Sequence, residues 1–372
     1  MCPDGVPMVA LGEVCQYIKT GKLNANAMIP NGEYPFFTCD SKPYRIDKYA
    51  FDKEAILVSG NGSQVGHITY YKGKFNAYQR TYVLSDFLDA DIFYIHHHFK
   101  AYLKPYIMEN SKKGSIPYIT LPMLQNYQIP LPPLPIQRRI VEILDKFTSL
   151  VSSLDSEIAL RQKQYEYYRN KLLTFEEGDE GVEWKSIGEI GRLVRGNGLQ
   201  KTDFTDKGVG CIHYGQIYTR LGFSCDKTLS FVSPELASNL TVIEPGNLVI
   251  ACTSENVEDV CKSVVWLGSD NIVTGGHACV FKHHEEPKYI GYCFLTYSFF
   301  NQKRKYAYGA KVIDIKLDKL SQIKLPIPPK SVQHSIVQTL DTFESLIANL
   351  KKERELRQKQ YEYYREKLLT FE

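Results

Sequence analysis

RQKQYEYYRNKLLTF, Arg161–Phe175, returns as RQKQYEYYREKLLTF, Arg357–Phe371, with a single difference, Asn170 against Glu366. The match runs upstream without a gap at a spacing of 196 residues, so that PLPPLPIQRRIVEILDKF (Pro130–Phe147) faces PIPPKSVQHSIVQTLDTF (Pro326–Phe343), and 28 of 46 aligned positions are identical. An internal repeat of this length organises the whole chain. Each copy opens with a Pro-rich stretch that no helix interior tolerates. Beyond it apolar residues fall in steps of three and four. In the first copy they are Ile136, Ile140, Leu144, Phe147, Val151, Leu154, Ile158, Tyr165, Tyr168 and Leu172. In the second they are Val332, Ile336, Leu340, Phe343, Ile347, Leu350, Tyr361, Tyr364 and Leu368. That narrow stripe is the pattern of a coiled coil, and each helix should run about 40 residues, roughly 60 Å. A bare amphipathic helix more often caps its own domain. Two near-identical stripes are most simply buried against each other.

The segments between the helices, residues 1–130 and 182–325, have similar lengths and begin alike, Val6–Val14 matching Val182–Ile190. They also end alike, Ile119–Leu124 and Ile129–Pro133 matching Ile315–Leu320 and Leu325–Pro329, while their middles diverge. Short β-type runs recur at Ala55–Ser59, Val65–Tyr71, Leu248–Cys252 and Ala278–Lys282, separated by Gly, Asn and Asp turns. Helical stretches are expected around Ile92–Met108 and Ile290–Tyr306. The fold class is therefore α+β, two β-rich domains alternating with two long helices that pair as an antiparallel coiled coil. The expected boundaries are 1–134, 135–178 (central helix), 179–329 and 330–372 (C-terminal helix).

Composition agrees with a globular chain of more than one domain: 372 residues, 43% hydrophobic and 23% charged. A net charge of +3 does not diagnose nucleic-acid binding by itself. Residues 1–130 carry 13 basic and 11 acidic groups, 184–325 carry 17 and 14, and 136–180 carry 7 and 9. The globular segments are mildly positive and the helix mildly negative, as expected if the helix meets protein more than phosphate. Nine cysteines without a CxxC pair read as reduced thiols of a cytoplasmic protein. Neither a signal peptide nor a run of about 20 apolar residues is apparent, so no membrane contact is expected.

Constant helices alternating with diverged globular units, joined by LPPLPIQRRIVEILDKF and IPPKSVQHSIVQTLDTF, resemble the specificity subunit of type I restriction–modification systems over essentially the whole chain. The openings Val-x-x-x-x-Leu/Ile-Gly-Glu carry the likeness too. His334 and Ser335 stand where the first junction has Arg138 and Arg139, so the two junctions need not meet partners equally. The resemblance implies that each globular unit is a target-recognition domain reading one half of a bipartite site on double-stranded DNA. It implies that the helices set the spacing and dock two methyltransferase subunits, with restriction subunits joining through the complex. Arg161, Lys163, Arg169, Arg357, Lys359 and Arg365 are the candidate partner contacts. S-adenosylmethionine, ATP and magnesium are then expected on those partners, with no cofactor on this chain.

No motif for catalysis is visible. GxxxxGK[ST] is absent. Gly60-Asn-Gly62-Ser-Gln-Val-Gly66 is one residue too long for a GxGxxG turn and precedes a strand; a tight turn at a recognition edge fits it better. The Pro-Pro pairs lack the polar and aromatic flanks of an amino-methyltransferase tetrapeptide. His96, His97 and His98 are adjacent on a helix and cannot converge on one ion; they read as surface histidines, as do His283 and His284. For DNA, lysine and arginine supply grip, and small polar or amide side chains on loops supply readout. In the first domain the candidates are Ser59, Asn61, Ser63, Lys72, Lys74, Gln79, Arg80, Lys112 and Lys113. In the second they are Arg195, Asn197, Tyr214, Gln216, Thr253, Ser254, His277, Lys303, Arg304, Lys305 and Lys311. The alternative is a non-catalytic coiled-coil adaptor with two β-rich ligand-binding modules.

Overall fold

The computed structural model describes residues 5–111 and 117–371. It divides into two compact units, Met1–Glu157 with Leu350–Glu372, and Ile158–Asn349.

The first unit is built on a six-stranded sheet in the spatial order Cys15–Thr20, Thr81–Phe87, Phe51–Ser59, Ile68–Ala77, Tyr34–Phe37, Tyr44–Ile46. The apolar run Ala55-Ile-Leu-Val58 needs both faces of the sheet covered, because successive side chains point opposite ways. Ile56 and Val58 join Leu84, Tyr94 and Phe99 in one core, and Ala55 and Leu57 join Phe37, Phe75 and Val83 in another. The hairpin partner starts at Ile68, later than the β-run suggests, because Gly62 (φ 82°) and Gly66 (φ 77°) first turn the chain. Helix Ile92–Asn110 starts where the Asp91 carboxylate accepts the N–H groups of Phe93 (2.9 Å) and Tyr94 (3.3 Å). It packs into the core on one side and on the central helix on another. The expectation of surface histidines therefore fails: His97 and His98 are buried, His97 Nε2 lying 2.8 Å from Asp145 and His98 Nδ1 3.2 Å from the Tyr127 hydroxyl.

The second unit repeats this sheet in shortened form: Gly191–Arg195, Ala278–His283, Leu248–Ala251, Ser263–Trp266, Ser224–Cys225. In both units the fifth strand runs parallel to the fourth. Inserted segments add a four-stranded sheet, Ser230–Val232, Val209–Ile212, Ile272–Thr274, Thr241–Ile243. The helix expected over Ile290–Tyr306 is two, Pro287–Cys293 and Tyr297–Lys303. Thr296 separates them: its hydroxyl donates to the Cys293 carbonyl (2.8 Å) and accepts from Phe299 N–H (3.2 Å), capping the second helix. His283, also expected at the surface, has both ring nitrogens buried.

The long helices are Leu134–Leu172 and Lys330–Thr370. Each begins with a fully buried glutamine that ties the Pro-rich junction to its domain. Gln137 Oε1 accepts Asp91 N–H (2.7 Å), and its amide nitrogen donates to the carbonyls of Asp89 (3.0 Å) and Pro132 (2.7 Å). Gln333 accepts Glu286 N–H (3.1 Å) and donates to Glu285 (2.8 Å) and the Pro328 carbonyl (2.9 Å). Tyr94 and Tyr289 close the same joints by donating to the carbonyls of Pro130 (2.6 Å) and Pro326 (2.9 Å). In the first unit Phe147 stacks on Tyr364 (5.4 Å, 17°) and Asp155 pairs with Arg354 (3.0 Å). One number rises as the other falls, so the helices are antiparallel. In the second unit Tyr168 stacks on Phe343 (5.4 Å, 21°) and the Tyr165 hydroxyl donates to Glu344 (2.8 Å), again antiparallel. Both readings of the amphipathic stripe hold at once. Ile140 and Leu144 belong to the first domain's core together with Leu369, and Ile336 and Leu340 to the second's together with Leu173.

Candidate nucleic-acid interface

In each domain the third strand of the sheet delivers a loop to one edge. Strand Phe51–Ser59 runs into Gly60, whose N–H donates to the Arg80 carbonyl (2.8 Å) and whose carbonyl accepts Ile119 N–H (2.8 Å). A Cβ on Gly60 would lie 2.4 Å from the Arg80 oxygen, so glycine is required there. Strand Leu248–Ala251 runs into Cys252, whose N–H donates to the His277 carbonyl (2.8 Å) and whose carbonyl accepts Ile315 N–H (3.3 Å). Ile119 and Ile315 are separated by the repeat spacing of 196. Next, Asn61 bridges Tyr118, while Thr253 and Ser254 pair with Asp314 and Ile313. Arg80 and His277 are thus equivalent positions, each just ahead of the strand that follows.

This geometry sorts the first domain's candidates. Ser59, Asn61, Ser63 and Arg80 gather at the loop edge, with Ser63 exposed on the turn and the Asn61 side-chain oxygen accepting the Cys39 thiol (3.1 Å). Gln79 is close by, its amide donating to Asn24 (2.6 Å). Lys72 and Lys74 are elsewhere: their cross-strand neighbours are Glu54 and Asp52, whereas the loop end of the hairpin is Val58 opposite Ile68. Four residues of strand put roughly 13 Å between Lys72 and that end. Lys72 also lies 3.8 Å from Glu54, and the Lys74 ammonium sits over Tyr49. Ser59 is buried, and its backbone N–H and carbonyl are engaged by the His67 carbonyl (2.9 Å) and Gly66 N–H (2.8 Å). Lys112 and Lys113 lie outside the described residues.

In the second domain Tyr214, Thr253, Ser254 and His277 line one cavity of about 460 Å³ together with Tyr218, Glu255, Asn256 and Val312. A second cavity of about 430 Å³ shares Tyr214 and His277 and adds Gln200 and Lys201. The Tyr214 and His277 rings, 5.0 Å apart, form the wall between the two. His277 is exposed and has φ 66°, a left-handed conformation that costs energy for a side chain with a Cβ. Arg195 reaches the same edge through Asp314 (3.4 Å). Asn197 donates to the Asn239 carbonyl (3.2 Å), and Gln216 is engaged with His213 N–H (3.0 Å) and the Ser230 hydroxyl (2.8 Å). Lys303 corrects the sequence reading. It is buried, its ammonium donating to the carbonyls of Glu258 (2.7 Å) and Val260, so it braces the loop from behind. Arg304, Lys305 and Lys311 are exposed. Sequence reasoning missed Tyr218, Glu255 and Asn256; adjacency to Thr253-Ser254 was the only signal for the last two.

The helix candidates also repeat their contacts. Arg161 and Arg357 donate to Gln164 (2.8 Å) and Gln360 (3.1 Å). Arg169 and Arg365 lie over Tyr165 and Tyr361 at 5.8 and 5.5 Å. Lys163 and Lys359 are exposed. Among the described residues no group of His, Cys, Asp or Glu is placed to hold a metal ion, and no helix is long and apolar enough to cross a membrane.

Two β-rich domains with the same order of their five shared strands and the same edge loop, each followed by a long helix of an internal repeat, define a duplicated α+β scaffold. The chain belongs to the family described as the type I restriction modification DNA specificity domain, which it matches over residues 3–160 and 179–358. It is 33% identical over 244 residues to the specificity subunit of the type I restriction enzyme EcoR124I/EcoR124II of Escherichia coli, spanning 64% of this chain and 60% of that one. It is 38% identical over 179 residues to the EcoDI specificity subunit of the same organism, of which only 39% is covered. A putative type I specificity subunit of Haemophilus influenzae is 27% identical over 92% of this chain and 89% of its own length. The fold is that of the type I S subunit from M. genitalium, with TM-score 0.59, 17% identity, and 99% and 98% of the two chains covered. A chain from a study of type I complex assembly and conformational transition has TM-score 0.61, 17% identity and 98% coverage of both.

Proposed function

We propose that this chain is the non-catalytic DNA-recognition subunit of a type I complex, in which each globular domain reads one half of a bipartite target. The observation that carries the reading is the pair of equivalent edge loops, Gly60–Ser63 and Cys252–Glu255. They are held by the same backbone bonds on a repeated scaffold yet carry different side chains. A scaffold kept constant while the reading edge varies is what two independent half-site readers require. The long helices then dock two methyltransferase subunits, one for each copy of the repeat, and restriction subunits join through them. S-adenosylmethionine, ATP and magnesium act on those partners, and this chain supplies target choice and spacing.

Domain exchange is the direct test. With residues 182–325 replaced by the matching domain of a relative, adenine methylation is mapped in a host carrying the methyltransferase subunit. One half of the methylated sequence should change and the other stay. If both halves changed together, the assignment of one domain to one half-site would be wrong.

A further inference from the structure

We propose that Glu255 is a base-reading residue of the second domain, accepting a hydrogen bond from an exocyclic amino group, cytosine N4 or adenine N6. The inference rests on the reading of this chain as a DNA-recognition subunit. Glu255 follows Ser254 directly on the edge loop and lines the 460 Å³ cavity. Its neighbours are spent on building the loop: Asn256 Nδ2 donates to the Asp259 carboxylate (2.9 Å), and Asn256 Oδ1 accepts Asp259 N–H (2.7 Å). Tyr218 braces the loop from below, its hydroxyl donating to the Thr253 carbonyl (2.8 Å). Glu255 is exposed and makes no hydrogen bond or ion pair among the described residues.

A carboxylate at a DNA-reading edge is unfavourable on its own, because every phosphate repels it. In the major groove an exocyclic amino group compensates, since a carboxylate accepts hydrogen bonds and cannot donate to the acceptor edges that guanine and thymine present there. Glu255 therefore sacrifices affinity for discrimination. The Tyr214–His277 ring pair, 5.0 Å between centroids, lines the same cavity.

The test uses the full chain with its methyltransferase subunit, comparing wild type, Glu255→Gln, Glu255→Ala and Glu258→Gln. The last makes the same charge change three residues away, outside the cavity lining. Methylation is mapped on a randomised plasmid library. Binding is measured on duplexes in which the amino-bearing base is replaced by its analogue lacking the amine. In wild type one position of one half-site should be cytosine or adenine on the contacted strand, and deleting that amine should weaken binding about 5- to 150-fold. With Glu255→Ala the position should accept other bases, amine deletion should no longer matter, and binding to unrelated DNA should strengthen. Glu258→Gln should keep the wild-type target. An unchanged target in both Glu255 variants, or the same relaxation in Glu258→Gln, overturns the role of Glu255 while leaving the recognition function standing. Absence of any site-specific methylation by the wild-type complex overturns both.

Discussion

A buried amide is tolerated when its polar atoms are engaged, and Gln137 and Gln333 each accept one backbone N–H and donate twice, Gln137 to two carbonyls and Gln333 to a carbonyl and the Glu285 carboxylate. Replacing Gln137 by leucine removes the partner of Asp91 N–H and of two carbonyls, the Pro132 bond being buried and the other two partly buried. Each unsatisfied group costs about 1–3 kcal/mol, so Gln137→Leu should destabilise the first unit by about 3 kcal/mol, read as a lower urea midpoint. The neighbouring histidines make the same unit sensitive to acid. Burial holds His98 down to about 4, and burial, with Lys100 nearby, does the same to His96. Between about 6.5 and 4 the unfolded chain binds protons that the folded domain refuses. Stability is therefore full above pH 6.5 and falls as pH drops, by at most about 1.4 kcal/mol per pH unit for each histidine. Urea midpoints at pH 7, 6 and 5 should show this slope, and His98→Gln should flatten it; an unchanged slope would refute the assignment. None of this burial could be read from three adjacent histidines, because their sequence does not say that the helix is covered on two sides. Lys303 escaped for the same reason: its carbonyl partners belong to a loop more than forty residues away.

Helices were the legible elements. Apolar steps of three and four over two near-copies announced their length, their antiparallel pairing and their proline-marked start. The second domain's extra sheet and the break at Thr296 were not legible, since short strands and a threonine cap depend on what packs beside them. Fourteen of the fifteen residues in RQKQYEYYRNKLLTF recur in the second copy, although stripe packing needs only a few of them. Lys163 and Lys359 remain exposed and available. Charge reversal at Arg161, Lys163, Arg169, Arg357, Lys359 and Arg365 should weaken methyltransferase assembly before it unfolds the protein. Native mass spectrometry should show two methyltransferase subunits on the wild type, and one at saturation would count against two equivalent docks.

For the whole molecule, the proposed ruler makes a geometric prediction. The two helices of 39 and 41 residues span about 60 Å each. Four residues inserted into both would add about 6 Å, close to two base pairs of duplex, and would locally unwind the coil. Insertion mutants that stay active should methylate the same half-sites at a longer spacing, mapped across every spacer length. An active mutant with an unchanged spacer would sink the ruler. The sequence showed the alternation of domains and helices because duplication leaves a trace in the chain itself. It could not show that each compact unit takes half of both helices, because that exchange is settled by which stretches of stripe meet in space.

That exchange has a consequence for how the protein is made. Leu369 is buried in the same core as Leu11, Ile140 and Leu144. The ribosome therefore delivers the first domain and its helix long before the residues that cover them. Until those residues emerge, an apolar stripe stands open to water, and closing it requires contacts of very large sequence separation, which form slowly. The nascent chain should thus be a chaperone client throughout synthesis of the second domain. A message truncated after residue 349 should yield a product that proteases clear.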